Sequence, residues 1–391
     1  MTDDSLTDDV RDRLARIEDP RLDDDSEAQS ASDHASGQRG GDAASNGTAA
    51  PSPSPRADIL SLGLVGDIEI EDGVARVPLA FGAPHSPTET EIATRVREAV
   101  REAGYEPSLS VEIDDQTPAG TVEGAPNVIA VSSGKGGVGK STVAVNLATA
   151  MAQRGASVGL FDADVYGPNI PRMLGVHDHP AMADDDETII PLERYDLQLM
   201  SIGFLVGEND PVIWRGPMVD KVLTQLYHDV AWGDLDYLVV DLPPGTGDAQ
   251  LSMLQQMPVV GSVVVTTPQD VALDNARKGV RMYDQYDAHV LGVVENMSTF
   301  VCPDCGSEHD VFDVGGGEKL ADAYDLPLLG RIPLDPAIRE SGESGEPVVL
   351  SEAESAAIFE DVAERVMDRV GEIRRESHRL TASEPSTPPA R

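Results

Sequence analysis

The sequence predicts an α/β fold: a mostly parallel sheet covered by helices on both faces, preceded by a small α+β domain. Three observations predict it. From Asn127 onward, apolar runs of strand length alternate with helical patterns, as successive βα units do. Several of those runs, such as Tyr237-Leu-Val-Val240 and Ser262-Val-Val-Val265, are nearly continuous, which suits strands buried on both faces. Residues 134–142, Gly-Lys-Gly-Gly-Val-Gly-Lys-Ser-Thr, fit the phosphate-binding loop pattern G-x-x-x-x-G-K-[ST]. That loop stands between a β-type run, Val128–Val131, and a helical pattern, Thr142–Ala152, the context the motif requires.

Each element follows in order. Residues 1–22 carry Leu6, Val10, Leu14 and Ile17 at helical spacing and stop at Asp19-Pro20. Residues 23–57 are Asp, Ser, Ala, Gly and Pro with almost no large apolar side chains, the composition of a disordered insertion. Residues 58–113 resume the small domain: a hairpin, 65–70 then 74–81, turning at Glu71-Asp72-Gly73, a helix over 88–102 and a strand over 108–113. A linker is expected over 114–126. The larger domain, 127–375, has strands predicted near 128–133, 158–163, 197–202, 237–242, 260–267, 289–296 and 327–332. Its last helix is predicted over 352–374, with Ile358, Val362, Val366, Val370 and Ile373 on one face and acidic residues on the other, so it covers a core. Residues 376–391 read as a disordered polar tail.

The loop defines the chemistry. Gly134, Gly136, Gly137 and Gly139, with Val138 between, let backbone N–H groups turn toward phosphate oxygens, and the helix beginning near Lys140 adds its positive end. Lys140 is placed to reach the β- and γ-phosphates and Ser141, beside Thr142, to ligate Mg²⁺. A second lysine, Lys135, stands inside the loop, which an ordinary loop of this class does not need. Two acidic clusters close predicted strands, where ligand residues gather in open α/β sheets. Asp241, after four apolar residues, is the expected acidic partner of Mg²⁺; Asp162 and Asp164 are placed to hold metal-bound water or orient the attacking water. In so acidic a chain, ordinary helix caps or solvated loop acids are the competing reading.

Composition limits the rest. The chain has 391 residues, with 29 basic against 69 acidic and a formal charge of −40. Only five lysines occur, and two of them are Lys135 and Lys140. Such acidity argues against nucleic acid and against an anionic membrane surface, and suits a solvated acidic surface of the kind halophiles use. No apolar run approaches the roughly 20 residues of a membrane span, and Met1-Thr-Asp-Asp lacks the features of a signal peptide, so a cytoplasmic protein is expected. The only two cysteines, Cys302 and Cys305, form C-x-x-C. Two thiolates at this spacing can share one soft metal, but tetrahedral zinc or a cluster needs four, which a symmetric dimer supplies. A redox dithiol and a zinc half-site stay open, although Pro303 and Gly306 suggest a knuckle rather than a helix start. His309, nearby, is either a further ligand or a solvated loop histidine, and His85 is a lone loop histidine.

The double-lysine loop, Asp162-Ala-Asp-Val-Tyr-Gly-Pro-Asn169 and Asp241-Leu-Pro-Pro-Gly-Thr-Gly-Asp248 together resemble the Mrp/ApbC group of iron–sulfur cluster carrier ATPases. These are P-loop NTPases of the deviant-Walker-A, MinD/ParA-like branch. The resemblance spans roughly residues 125–350 and takes in Asn296-Met-Ser298, Cys302-Pro-Asp-Cys305, Gly315-Gly-Gly317 and Leu329-Gly-Arg-Ile-Pro-Leu-Asp335. It implies a homodimer with ATP at its centre, slow hydrolysis of ATP to ADP and phosphate, and a [4Fe–4S] cluster held between the paired Cys302 and Cys305 for transfer to apo iron–sulfur proteins in concert with assembly factors. It further implies that Lys135 contacts ATP across the dimer, that Asp164 positions water and that Asn296 contacts the adenine. The small domain resembles the one preceding the ATPase in many such proteins, but 81–87 lack the cysteine often found there, which leaves docking or recognition as its expected role. Two other classes compete: a MinD/ParA-like positioning ATPase, which calls for a basic surface and no cysteine pair, and an electron donor similar to the nitrogenase iron protein, which calls for a stably bound, redox-cycling cluster.

Overall fold

The computed structural model describes residues 3–18, 20, 58–111, 125–179, 182–183, 188–205, 216–286, 288–302, 305, 307–312 and 315–383. The expected insertion, and most of the expected linker, lie outside these residues. Contacts divide the chain into two units: 1–82, 86–114 and 374–391 in one, 83–85 and 115–373 in the other.

The first unit opens with α1 (Asp3–Leu14), whose Val10 and Leu14 are buried together with Ile17. Glu18 then pairs with Asp58 in an antiparallel bridge, and Ile59 N donates to Ile17 O at 3.0 Å, so residues 17–18 and 58–59 lie side by side. β1 (Glu69–Glu71) and β2 (Val74–Leu79) form a hairpin through Asp72 and Gly73, both at positive φ as a tight two-residue turn requires. Both strands are shorter than the sequence pattern suggests. α2 (Pro87–Glu102) begins with proline after a Ser86 cap that accepts from Glu89 N, and returns the chain to β3 (Glu106–Val111), parallel to β2. Ile92, Val96 and Val100 on one face of α2 close the core with Val77 and Leu79.

The second unit runs β4 (Asn127–Ser133), α3 (Lys140–Gln153), β5 (Val158–Asp162), α4 (Ile170–Met173), then the short strands β6 (Met182–Ala183), β7 (Ile189–Ile190) and β8 (Leu192–Arg194), and β9 (Leu197–Ser201). It continues through α5 (Gly216–His228), β10 (Tyr237–Asp241), α6 (Asp248–Gln256), β11 (Val259–Thr266), α7 (Asp270–Gln285) and β12 (Val290–Asn296). A small hairpin, β13 (Phe300–Val301) with β14 (Glu308–His309), precedes α8 (Gly316–Ala323), β15 (Leu328–Ile332), α9 (Pro336–Ser344) and α10 (Glu354–Ser383). Eight strands form one sheet in the order β15-β12-β11-β4-β10-β5-β9-β8, parallel except for the edge pair β8–β9. β4, β5 and β10 are buried along their whole length, as strands with both faces covered must be.

α10 departs from expectation at its far end. It continues to Ser383, through the start of the stretch read as a tail from 376, and its residues from Arg374 group with the first unit rather than the second. Arg375, nearly buried, forms an ion pair with Glu89, the residue that Ser86 caps. That pairing gives each of the two buried charges a counter-charge.

Candidate functional site

β4 delivers the loop 134–139 to the N-terminus of α3. Gly139 takes φ +86°, and a side chain there would also meet the Asn296 amide, so only glycine fits. The loop opens into a cleft of about 510 Å³ lined among others by Gly136, Gly137, Lys140, Ser141, Asp164 and Pro244, with α9 contributing Ile338 and Arg339.

The floor of the cleft is a cluster of acids around one ammonium. Lys140 Nζ, 5% exposed, lies 2.6 Å from Asp241 Oδ1 and 3.6 Å from Asp164 Oδ2. Ser141 Oγ donates to the other oxygen of Asp241 at 2.6 Å. Register explains the convergence. Asp241 ends β10 directly beside Asp162 at the end of β5, and Val131 of β4 flanks it on the other side. Asp162 and Asp241 therefore enter a buried layer side by side. Burial first, and then the charge of Asp241, push the Asp162 carboxyl up to about 8, against the pull of Lys140. Burial likewise raises Asp241, opposed by Lys140.

Asp162 and Asp164 separate in role here. Asp162 accepts from Asp164 N, Ile170 N and Ser201 Oγ, which ties the loop after β5 in place and turns its carboxyl away from the cleft. Asp164 accepts from Tyr166 N and lines the cleft. Lys135 reaches sideways instead: its Nζ donates to Gln269 Oε1 at 3.1 Å, at the start of α7. Asn296, the expected adenine contact, lies against the phosphate loop. Its carboxamide is buried behind the loop, donating to Val138 O at 2.8 Å and accepting from Met297 N at 2.9 Å. The nitrogen half of the amide holds the loop, and the oxygen half fixes the turn that follows β12.

Six residues beyond Asn296, Cys302 sits at the mouth of the β13–β14 hairpin, where its N–H donates to Ser307 O at 2.9 Å. Cys305 is exposed. The Ser307 hydroxyl 3.3 Å from its sulfur, then the Ser307 backbone and Cys302, hold the Cys305 thiol below its ordinary pKa, which favours the metal-binding thiolate. The residues sequence reasoning missed are Gln269, which is 134 positions from Lys135, and Glu295, buried at the end of β12. Glu295 had a signal: it follows an apolar run just as Asp241 does.

The fold and its loop define a P-loop NTPase of the MinD/ParA type. Residues 124–367 match the ParA family in its description as NUBPL iron-transfer P-loop NTPase, and the chain belongs to that family. It is 43% identical over 316 residues to the iron-sulfur cluster carrier protein of Synechocystis sp., covering 78% of this chain and 90% of that one. With the iron-sulfur cluster carrier protein of Escherichia coli K12 it shares 50% identity over 247 residues, 63% of this chain and 67% of that one. A solved nucleotide-binding protein of Archaeoglobus fulgidus, in complex with ADP, is similar at a TM-score of 0.53 and 37% identity, covering 60% of this chain and 91% of that one. Among the described residues, no helix is long and apolar enough to cross a membrane.

Proposed function

We propose that this protein binds and hydrolyses ATP and carries a [4Fe–4S] cluster between two copies of itself for delivery to apo iron–sulfur proteins. One observation carries the nucleotide half: Lys140, Ser141, Asp164 and Asp241, drawn from three strand ends, converge on one cleft under the loop.

The donor set suits Mg²⁺. Ser141 Oγ and Asp241 Oδ2 lie side by side as hard oxygen ligands, and the acids around Lys140 outnumber its charge. Bound there, Mg²⁺ would screen the phosphate charge. Lys140 then exchanges its contact with Asp241 for the β- and γ-phosphates, while loop N–H groups from Gly136 to Thr142 cradle them. Asp164, at the cleft wall, orients the attacking water. Lys135 leaves Gln269 to meet the phosphates of the partner copy, where its charge counts most as negative charge shifts during transfer. Asn296 braces the loop from behind.

For the cargo, each chain offers only Cys302 and Cys305, so a cluster needing four thiolates calls for two copies. The lowered Cys305 thiol and the exposed position suit a cargo that must leave again. The family and the curated relatives support the iron-transfer role. Anaerobic reconstitution followed by iron and sulfide analysis tests it. About four of each per dimer are expected, and loss of both on Cys302→Ala or Cys305→Ala. Stoichiometric zinc without visible absorbance after reconstitution would refute the cluster.

A further inference from the structure

Glu295 takes no part in phosphate or magnesium chemistry, yet it is a carboxylate only 1% exposed. It accepts a hydrogen bond from Gly317 N in the first turn of α8, one of the N–H groups a helix start leaves unpaired. Arg331, its register partner on β15, approaches it at 3.8 Å. The next residue is Asn296, which holds Val138 of the phosphate loop. Successive strand side chains face opposite ways, so the last two residues of β12 grip the loop from one face and the start of α8 from the other.

The start of α8 is also wedged from a second direction. A Cβ on Gly316 would lie 2.7 Å from Leu273 Cδ1 and 2.9 Å from Pro268 O; one on Gly317 would lie 2.7 Å from Glu295 Cβ. Pro268 precedes Gln269, the residue that receives Lys135. Gly316 and Gly317 therefore pack, without room for a side chain, against the neighbours of both supports of the loop: Gly317 on Glu295 beside Asn296, and Gly316 on Pro268 beside Gln269. The cysteine pair lies in the segment between them: Asn296 leads into it and Gly315 leads out.

We propose that the Glu295–Gly316–Gly317 joint is a positioning device that transmits the state of the phosphate loop to Cys302 and Cys305. It rests on the reading that the loop takes a nucleotide. When Lys135 leaves Gln269, the turn before α7 is released against Gly316, and Glu295 keeps the start of α8 seated so that the shift reaches the cysteine segment.

Because these are the chain's only two cysteines, a thiol-reactive dye reads the segment directly in the metal-free protein, whether or not a cluster ever forms. The labelling rate of the wild type is expected to change about threefold or more on saturation with Mg-ATP. In Gly317→Ala and Glu295→Ala, each measured at saturating Mg-ATP, that ratio falls close to one. Glu295→Gln, which keeps an acceptor for Gly317 N, restores most of the response. Arg331→Gln, at a half-exposed site mild for folding, lowers it in the same direction. A nucleotide response undiminished in Gly317→Ala and in Arg331→Gln overturns the proposal, as does a wild type that binds ATP with no change in labelling. A protein that fails to assemble a cluster yet shows the labelling response refutes the carrier role and leaves the joint standing.

Discussion

Replacing Asn296 with alanine separates a brace from a base contact. Its amide donates to Val138 O in a buried setting and accepts from Met297 N in a partly buried one. A buried hydrogen bond contributes about 0.5–1.5 kcal/mol net, and a partner left unsatisfied costs about 1–3 kcal/mol. Two such bonds put the cost of Asn296→Ala at roughly 2–4 kcal/mol of stability in the nucleotide-free protein. If about 2 kcal/mol of that falls on ordering the loop, affinity drops roughly thirtyfold, at 1.4 kcal/mol per tenfold. A brace acts before the base is read, so Mg-ATP and Mg-GTP lose affinity by the same factor. The assay is denaturant unfolding of the nucleotide-free protein alongside titration calorimetry with both nucleotides. Unchanged stability, with ATP weakened and GTP untouched, would refute the brace and make Asn296 a reader of adenine.

Lys140→Met should abolish phosphate binding and also destabilise the nucleotide-free protein by about 3–5 kcal/mol, because it strips the counter-charge from buried Asp241; equal stability with and without Lys140 would count against the ion cluster. Lys135→Ala should keep most ATP binding and lose turnover, as single-turnover kinetics against equilibrium binding will show; equal loss of both contradicts action across the dimer. The Asp162 carboxyl, raised to about 8 by burial, holds a proton in the folded state that the unfolded chain has released from near the ordinary carboxylate value of 3.8 upward. Its stabilising contribution is complete below that value and lost as pH rises toward 8, at up to about 1.4 kcal/mol per pH unit. Asp162→Asn should flatten that slope in denaturant titrations of the nucleotide-free protein between those limits, and an unaltered slope would mean Asp162 is ionised throughout. Arg375→Ala should destabilise the first unit by about 3–5 kcal/mol by leaving Glu89 buried without its counter-charge, read as an earlier transition in thermal unfolding.

Local chemistry was legible wherever a short stretch of chain carries its own cause. The βα alternation showed the parallel sheet, because strands covered on both faces must be apolar throughout. The loop declared itself by glycine spacing, and Asp241 by its place after four buried residues. What stayed hidden depends on partners far apart in sequence. Nothing near Lys135 announces Gln269, and nothing near Asn296 shows that its amide faces Val138 rather than the cleft. The antiparallel edge strand β8 has too few residues to set a period. The continuation of α10 past 376 was hidden in a polar sequence, 377–383, whose one large apolar residue is Leu380, and the Arg375–Glu89 pairing just before it joins residues 286 apart.

That last pairing has a consequence for how the protein is made. A ribosome releases the first unit's strands and α2 long before Arg374 and Arg375 exist, yet Arg375, which pairs with Glu89, arrives 286 residues after it. Domains ordinarily fold in the order they are synthesised. Here the first unit begins before the phosphate-loop unit and is completed only after that unit has been translated. A chain cut after Ile373 would retain every residue of the cleft and the cysteine pair, and still lose the piece that finishes its own beginning.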